Sequence, residues 1–218
     1  MLQVKKFTFN PFQENTYLVW DHTLECIFID PGCYNQEEEN ELSAFIEKNK
    51  LMPVLNLNTH AHIDHVMGNR FIKEKYGLEP RMHEADLRTL KAAAPYAVLV
   101  GLRMDDPPIP TSFIDVSQPI QFGQTSFSIL FTPGHSPGHV SFYHDNSKTL
   151  FSGDVLFQGG VGRFDLPGGH YETLMNSITQ VLFSLPMETK VYCGHGNETS
   201  LLKEKESNPF VLEFVGKL

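Results

Sequence analysis

The run Thr59-His60-Ala61-His62-Ile63-Asp64-His65 puts four metal-capable side chains within six residues, a density that packing does not explain. The segment before it, Met52-Pro53-Val54-Leu55-Asn56-Leu57-Asn58, is short and alternating, which predicts a strand feeding the cluster. Side chains of extended backbone repeat every two residues, so His60 and His62 should point the same way. Met67, Phe71 and Ile72 then form a helical stripe, so Asp64 and His65 should fall where the chain turns into a helix. One turn would thus present two pairs of ligands. Imidazole with carboxylate suits zinc, iron or manganese better than calcium or magnesium, which prefer oxygen shells.

Further ligands are offered by three segments in which an apolar strand runs into a glycine followed by His or Asp. They are Phe131-Thr132-Pro133-Gly134-His135 after the alternating run Ser126 to Phe131, Leu150-Phe151-Ser152-Gly153-Asp154, and Val191-Tyr192-Cys193-Gly194-His195. Glycine lets the backbone bend tightly and lets a metal approach, with the ligand standing at a strand's end on a rigid scaffold.

T-H-A-H-I-D-H, T-P-G-H, S-G-D and C-G-H, in that order, resemble the metallo-β-lactamase superfamily. The stretch from Gly153-Asp154-Val155-Leu156-Phe157 to Gly162-Arg163-Phe164-Asp165-Leu166-Pro167-Gly168-Gly169, with Glu204 to Phe210, resembles its glyoxalase II-like branch in its short, single-domain form. The resemblance covers nearly the whole chain. It implies an α/β fold, a four-layer αββα sandwich, in one domain spanning 1–218 with two β-rich halves of about 1–115 and 116–218. It also implies two divalent metal ions, zinc first and iron or mixed occupancy as alternatives. His60, His62 and His135 would hold one ion, Asp64, His65 and His195 the other, and Asp154 would bridge them, which makes Asp64 and Asp154 the catalytic carboxylates. Three neutral imidazoles leave a zinc-like ion its full charge and an open position, lowering the pKa of bound water toward about 7. Asp30, at the end of the third strand, resembles the family's carboxylate that orients a metal-bound histidine; a plain Asp-Pro-Gly turn residue is the alternative.

The reaction this implies is hydrolysis of a small-molecule thioester such as hydroxyacylglutathione, by attack of a hydroxide held on the metal. A thiol leaving group, with a pKa near about 8.5, needs little protonation, which suits a site without an obvious general acid. By the same resemblance Arg163 would face the glycyl carboxylate of glutathione, with Asp165 standing beside it in the substrate site where glyoxalase II enzymes often have Tyr. Only 23 residues follow His195, so the helical region that supplies further glutathione contacts in typical glyoxalase II enzymes is not expected here. Gly162-Arg163-Phe164-Asp165 is also similar to persulfide dioxygenases, in which one iron would sit on His60, His62 or His135 with Asp154. A metal-binding interaction module without catalysis is a third reading, and it leaves Arg163 unexplained.

Composition sets the outer bounds. A chain of 218 residues, 41% hydrophobic and 20% charged, is ordinary globular material. A net charge of −9 gives no support for nucleic-acid or anionic-membrane partners. Cys26, Cys33 and Cys193 are an odd set rather than a disulfide framework, and neither a signal-like apolar stretch after Lys5-Lys6 nor a spanning segment appears; a cytoplasmic setting is the expectation. Oligomeric state cannot be read.

Strands are expected at Val4 to Phe9, Thr16 to Trp20 and Cys26 to Ile29, and helices after Asn35, with an acidic first turn at Glu37 to Glu39, and from Tyr171 to Phe183. Residues 92–117, with Pro95, Pro107, Pro108 and Pro110, read as a loop joining the halves, either covering the site mouth with Tyr96, Leu99, Leu102 and Met104 or serving as a packed connector. His139 and His170 are expected to be structural, and His22, His83 and His144 to lie at the surface or in packing. Cys193 reads as a small buried apolar residue, and no serine nucleophile elbow, Walker loop or dinucleotide fingerprint occurs.

Overall fold

The computed structural model describes residues 1–216, which divide into two units. The first comprises Met1–Asp115 with Gln121–Ser126, the second Val116–Ile120 with the chain from Phe127 onward.

In the first unit β1 (Gln3–Phe9), β2 (Glu14–Trp20) and β3 (Glu25–Ile29) form an antiparallel meander. Helix α1 (Gln36–Lys48) then returns the chain so that β4 (Met52–Leu57) lies parallel to β3. Asn35 starts that helix by accepting from the amides of Glu37 and Glu38. Glu38 does more than favour the helix dipole, since its carboxylate also accepts from the amides of Asn10 and Tyr34. Because β3 and β4 run the same way, Asp30 and the loop carrying His60 leave the sheet at one edge. Helices α2 (Ile63–Val66) and α3 (Asn69–Tyr76) follow, then β5 (Pro80–Arg81), which closes the sheet order β1-β2-β3-β4-β5. Phe9, Leu18, Phe28, Leu42 and Ile72 fill the core on one side. Each such side chain, fully buried, contributes about 1.5–3 kcal/mol of transfer free energy.

The expected loop over 92–117 is corrected at its start. Helix α4 runs Leu87–Leu99 with Pro95 inside it. Proline removes one backbone donor, but Ala92, Ala93 and Ala94 are strong helix formers, and Leu90, Ala93 and Ala97 keep a buried stripe through the proline. Beyond the helix, Leu102 and Met104 pack on the cluster that contains Ala61, Ile63 and Val66, so this segment buttresses the histidine loop from outside.

The second unit builds the sheet order β13-β12-β9-β8-β7-β6 from β6 (Ile120–Phe122), β7 (Thr125–Phe131), β8 (Val140–His144), β9 (Thr149–Gly153), β12 (Lys190–Cys193) and β13 (Thr199–Ser200). A small hairpin, β10 (Leu156–Phe157) with β11 (Gly160–Val161), projects after β9. β7 and β8, and β8 and β9, are antiparallel while β9 and β12 are parallel, so β7, β9 and β12 all end at the same edge. His135, Asp154 and His195 therefore follow strands that deliver them to one side. The helix expected from Tyr171 to Phe183 is α for Tyr171–Asn176 (α5), then π-helical over Ser177–Val181 and 3-10 over Leu182–Ser184. Ser177 donates to the Pro133 carbonyl at 2.7 Å and Thr179 to the Met175 carbonyl, side-chain bonds that accompany the widened turn. Helices α6 (Leu201–Ser207) and α7 (Pro209–Val215) complete the described chain, in which no helix is long and apolar enough to cross a membrane.

The turn before β7 is tied to the first unit's sheet by Asp21. Its carboxylate accepts from Thr23 (amide 2.9 Å, hydroxyl 2.6 Å), the Gln124 amide (2.7 Å) and the Thr125 hydroxyl (2.9 Å). Burial opposes its charge, but the four donors outweigh burial and hold the carboxyl down at about 2. The folded value lies below the unfolded one, so this stabilisation is complete above about pH 4 and is lost as pH falls through about 2. Asp21→Asn should accordingly lower the melting temperature at neutral pH, with the gap to wild type closing in acid. A gap that stays constant down to pH 2 would show that the charge carries none of the effect.

Candidate metal centre

In the first unit His60 and His62 follow β4, with His62 on extended backbone as it enters α2, and Asp64 and His65 occupy the first turn of that helix. The His60 and His62 rings sit 4.8 Å apart and those of His60 and His65 4.1 Å apart. Hydrogen bonding decides which ring nitrogens are presented. The Thr59 hydroxyl donates to Asp30 Oδ2 at 2.7 Å, so its contact with His60 Nδ1 at 3.0 Å makes the ring the donor and leaves the Nε2 lone pair available. His65 Nδ1 faces the same Asp30 oxygen at 3.1 Å, while its Nε2 lies 3.7 Å from Asp64 Oδ2. Asp30 thus orients two histidines at once, and its other oxygen accepts from the Thr59 amide at 2.7 Å. It also takes a left-handed backbone conformation, φ 52°, at the strand end.

Three buried residues that carry no local sequence signal hold this loop. Asp86 accepts from the Ala61 amide at 2.9 Å, between the two histidines. Asn58 donates to the His65 carbonyl at 2.7 Å, and Asn10 to the Asp64 carbonyl at 3.0 Å. Behind His65 stands Glu14, fully buried, its Oε1 3.9 Å from His65 Nδ1; burial raises its carboxyl well above the usual range.

In the second unit Asp154 Oδ2 lies 3.5 Å from His135 Nε2 and 3.5 Å from His195 Nε2. His135 Nδ1 is 2.7 Å from the Arg163 carbonyl, which can only accept, so Nδ1 carries the proton and Nε2 is the lone-pair nitrogen. His139 is structural, as expected: its Nε2 accepts from the Asp154 amide at 3.1 Å, and its Nδ1 meets the Thr132 hydroxyl at 3.0 Å. His170 caps α5 by accepting from the Thr173 amide, and His83 caps a 3-10 turn, neither one near these ligands in role. Burial pushes the Cys193 thiol up to about 12, which removes it as a nucleophile at neutral pH. All three cysteines are buried thiols, with no disulfide between them.

Gly162 follows the hairpin where the backbone passes closest to Asp154. A Cβ there would stand 1.8 Å from the Asp154 carbonyl oxygen and 3.0 Å from His135 Nδ1. Only glycine permits that approach. The next residue, Arg163, is mostly exposed and donates from Nε and Nη2 to the two Asp165 oxygens at 2.9 and 3.0 Å. The pairing with the guanidinium holds the Asp165 carboxyl below its ordinary value.

The donors gathered here, His60 Nε2 and His65 Nε2 with Asp64 Oδ2 in the first unit, and His135 Nε2 and His195 Nε2 with Asp154 Oδ2 in the second, are imidazoles and carboxylates of the kind that suit first-row divalent ions. The sequence profile of the metallo-β-lactamase superfamily matches residues 9–195, and the chain belongs to that superfamily. Its helix-flanked sheets are the fold of solved members. The crystal structure of BLEG-1, a B3 metallo-β-lactamase, superposes with a TM-score of 0.88 at 32% identity, covering 96% of this chain and 99% of the other. TTHA1623 in a di-iron-bound form gives 0.86 at 40% identity, covering 95% and 100%. Among curated relatives, the hydroxyacylglutathione hydrolase GloC of Haemophilus influenzae is 38% identical over 202 residues, 92% of this chain and 93% of that protein. The chain is therefore similar to a thioester hydrolase, to a lactamase and to a di-iron protein at comparable levels, and superfamily membership establishes a metallo-hydrolase scaffold rather than a substrate.

Proposed function

We propose that the protein is a two-metal hydrolase of small-molecule thioesters, with hydroxyacyl thioesters of glutathione the first candidates, working in a reducing cytoplasmic setting. The observation that carries the proposal is Asp154 Oδ2 set 3.5 Å from the Nε2 atoms of both His135 and His195, which supports its serving as an oxygen common to two ions. On this reading His60, His62 and His135 would take one ion and Asp64, His65 and His195 the other, with Asp30 beside His65 and, through Thr59, behind His60. Two divalent ions held there would supply a hydroxide at neutral pH and polarise the substrate carbonyl. The chain's own part is to orient His60 through Thr59, His65 through Asp30 and His135 through the Arg163 carbonyl, and to orient the substrate by the Arg163 side chain. A thiolate leaving group suits this arrangement because it departs without a protonated acid beside it. GloC supports the thioester reading, and the di-iron neighbour makes iron a candidate beside zinc.

Elemental analysis of protein purified without added metal should find about two ions per chain, with hydrolysis of a hydroxyacylglutathione in a parallel assay. One tightly held iron with persulfide-dependent oxygen uptake would overturn the reading in favour of a mono-iron persulfide dioxygenase. Metal without turnover of any thioester would favour a non-catalytic metal-binding module.

Arg163→Ala should raise KM for a carboxylate-bearing thioester about tenfold while changing kcat far less. A guanidinium on a carboxylate contributes about 1.5–3 kcal/mol, but Asp165 already occupies the fork, and exchanging it for substrate reduces the net gain. An exposed pair such as Arg163 with Asp165 is screened by solvent and contributes little, so giving it up for substrate costs little. Lysine should rescue in part, as a point charge without the fork geometry. Equal losses on a thioester lacking the carboxylate would remove Arg163 from substrate binding.

A further inference from the structure

The hairpin that carries Gly162 and Arg163 is anchored from the C-terminal helices by two residues with no part in the site as described so far. Glu204 on α6 is fully buried, and its Oε2 accepts from the Gly159 amide at 2.8 Å and from Asn208 Nδ2 at 2.9 Å. Its Oε1 accepts from the Thr199 hydroxyl at 2.5 Å. Asn208, also fully buried, uses the same amide group to donate to the Gly160 carbonyl at 3.0 Å, and its Oδ1 caps α7 by accepting from the Phe210 amide. Both peptide groups at the tip of β10–β11 are thus fixed by side chains more than forty residues away.

What the hairpin touches gives this anchor a functional meaning. On β10 the Phe157 ring meets the His195 ring edge-on, with centroids 6.1 Å apart. Just past β11, the Gly162 amide donates to the Val155 carbonyl at 3.3 Å, and the Arg163 carbonyl accepts from His135 Nδ1. One short hairpin therefore contacts two histidine ligands, one through packing and one through the bond that sets its tautomer. A carboxylate receiving three donors in a buried setting is a strong anchor, because charge-assisted bonds are about twice as strong as neutral ones. We propose that Glu204 and Asn208 are positioning residues for His135 and His195, acting through the β10–β11 hairpin; this rests on the reading that those histidines bind metal. Loosening the anchor would let the Arg163 carbonyl drift from His135 and free that ring to adopt either tautomer. Partners that orient metal ligands are worth about 10–100-fold in metal affinity, and an anchor one step further out should act near the lower end.

Glu204→Gln keeps the side chain's size but sets an amide N–H against donors. Asn208→Ser keeps an acceptor to cap α7 while losing the donors to Gly160 and Glu204. Asp21→Asn serves as a control, removing a comparably bonded carboxylate remote from the hairpin. Competition with a zinc chelator on the holo-proteins should show affinity falling about tenfold in both hairpin variants, while the Asp21 variant melts lower and keeps wild-type affinity. Imidazole 15N spectra of the metal-free proteins should show His135 as one tautomer in wild type and as a mixture in the hairpin variants. Wild-type affinity and a single tautomer in Asn208→Ser would overturn the proposal even if Glu204→Gln fails to fold. If wild type binds no metal, the two-metal reading falls, and the tautomer measurement still decides this one.

Discussion

Asp154→Asn should strip both metal ions and abolish turnover, whereas His65→Ala should deplete mainly one. Asp154 Oδ2 lies equally near His135 Nε2 and His195 Nε2, so its charge serves both positions, while His65 stands beside Asp64, Asp30 and Glu14 of the first unit. Removing mere outer partners of metal ligands costs about 10–100-fold in affinity or activity, and loss of a shared ligand should exceed that range. The backbone at 154 is secured independently, because its amide donates to His139. The asparagine variant should therefore fold, and circular dichroism would separate loss of metal from loss of structure. Metal analysis giving the same single-ion loss in both variants would contradict the division of ligands.

Gly162→Ala is expected to be the most damaging methyl group that can be added to the chain near the site. With a Cβ 1.8 Å from a backbone oxygen, either the hairpin retreats or the strand end at Asp154 moves. Ordinary overpacking costs about 1–3 kcal/mol, and a backbone obstacle, unlike a flexible side chain, cannot step aside. The expected result is a melting temperature several degrees lower together with loss of metal, since retreat of the hairpin carries the Arg163 carbonyl away from His135. A stable variant with full metal content would show that the hairpin yields without consequence.

The parts of this architecture that were legible in the sequence are those with a local period or a local density. β1 to β4, α1 with its Asn35 cap, and the placement of His60, His62, Asp64 and His65 at a strand-to-helix turn follow from alternation, capping and residue type alone. Pro95 misled for a physical reason: a proline normally ends a helix, but the alanines before it and the buried stripe of Leu90, Ala93 and Ala97 outweigh one missing donor. The contacts of Glu14, Asp86, Glu204 and Asn208 were not legible, because a lone polar residue shows no partner until distant amides close on it, even though Glu204 to Phe210 carries part of the family resemblance. Glu204 illustrates this well. In the run Lys203-Glu204-Lys205-Glu206 it reads as one charge of a solvated face, yet it is the one that turns inward and is wholly buried. A helical wheel offers the only hint, since Leu201, Glu204 and Asn208 share one face of the C-terminal segment.

Residue 163 meets the rest of the molecule in two separable ways. Its carbonyl belongs to every amino acid alike and holds His135; its guanidinium belongs to arginine alone and lies among solvent-exposed partners. Mutation can therefore rewrite what the side chain recognises while leaving the histidine's hydrogen bond in place. If Arg163 and Asp165 face the substrate as proposed, single substitutions at 163 and 165 could exchange one acyl carrier for another while leaving the bond to His135 intact.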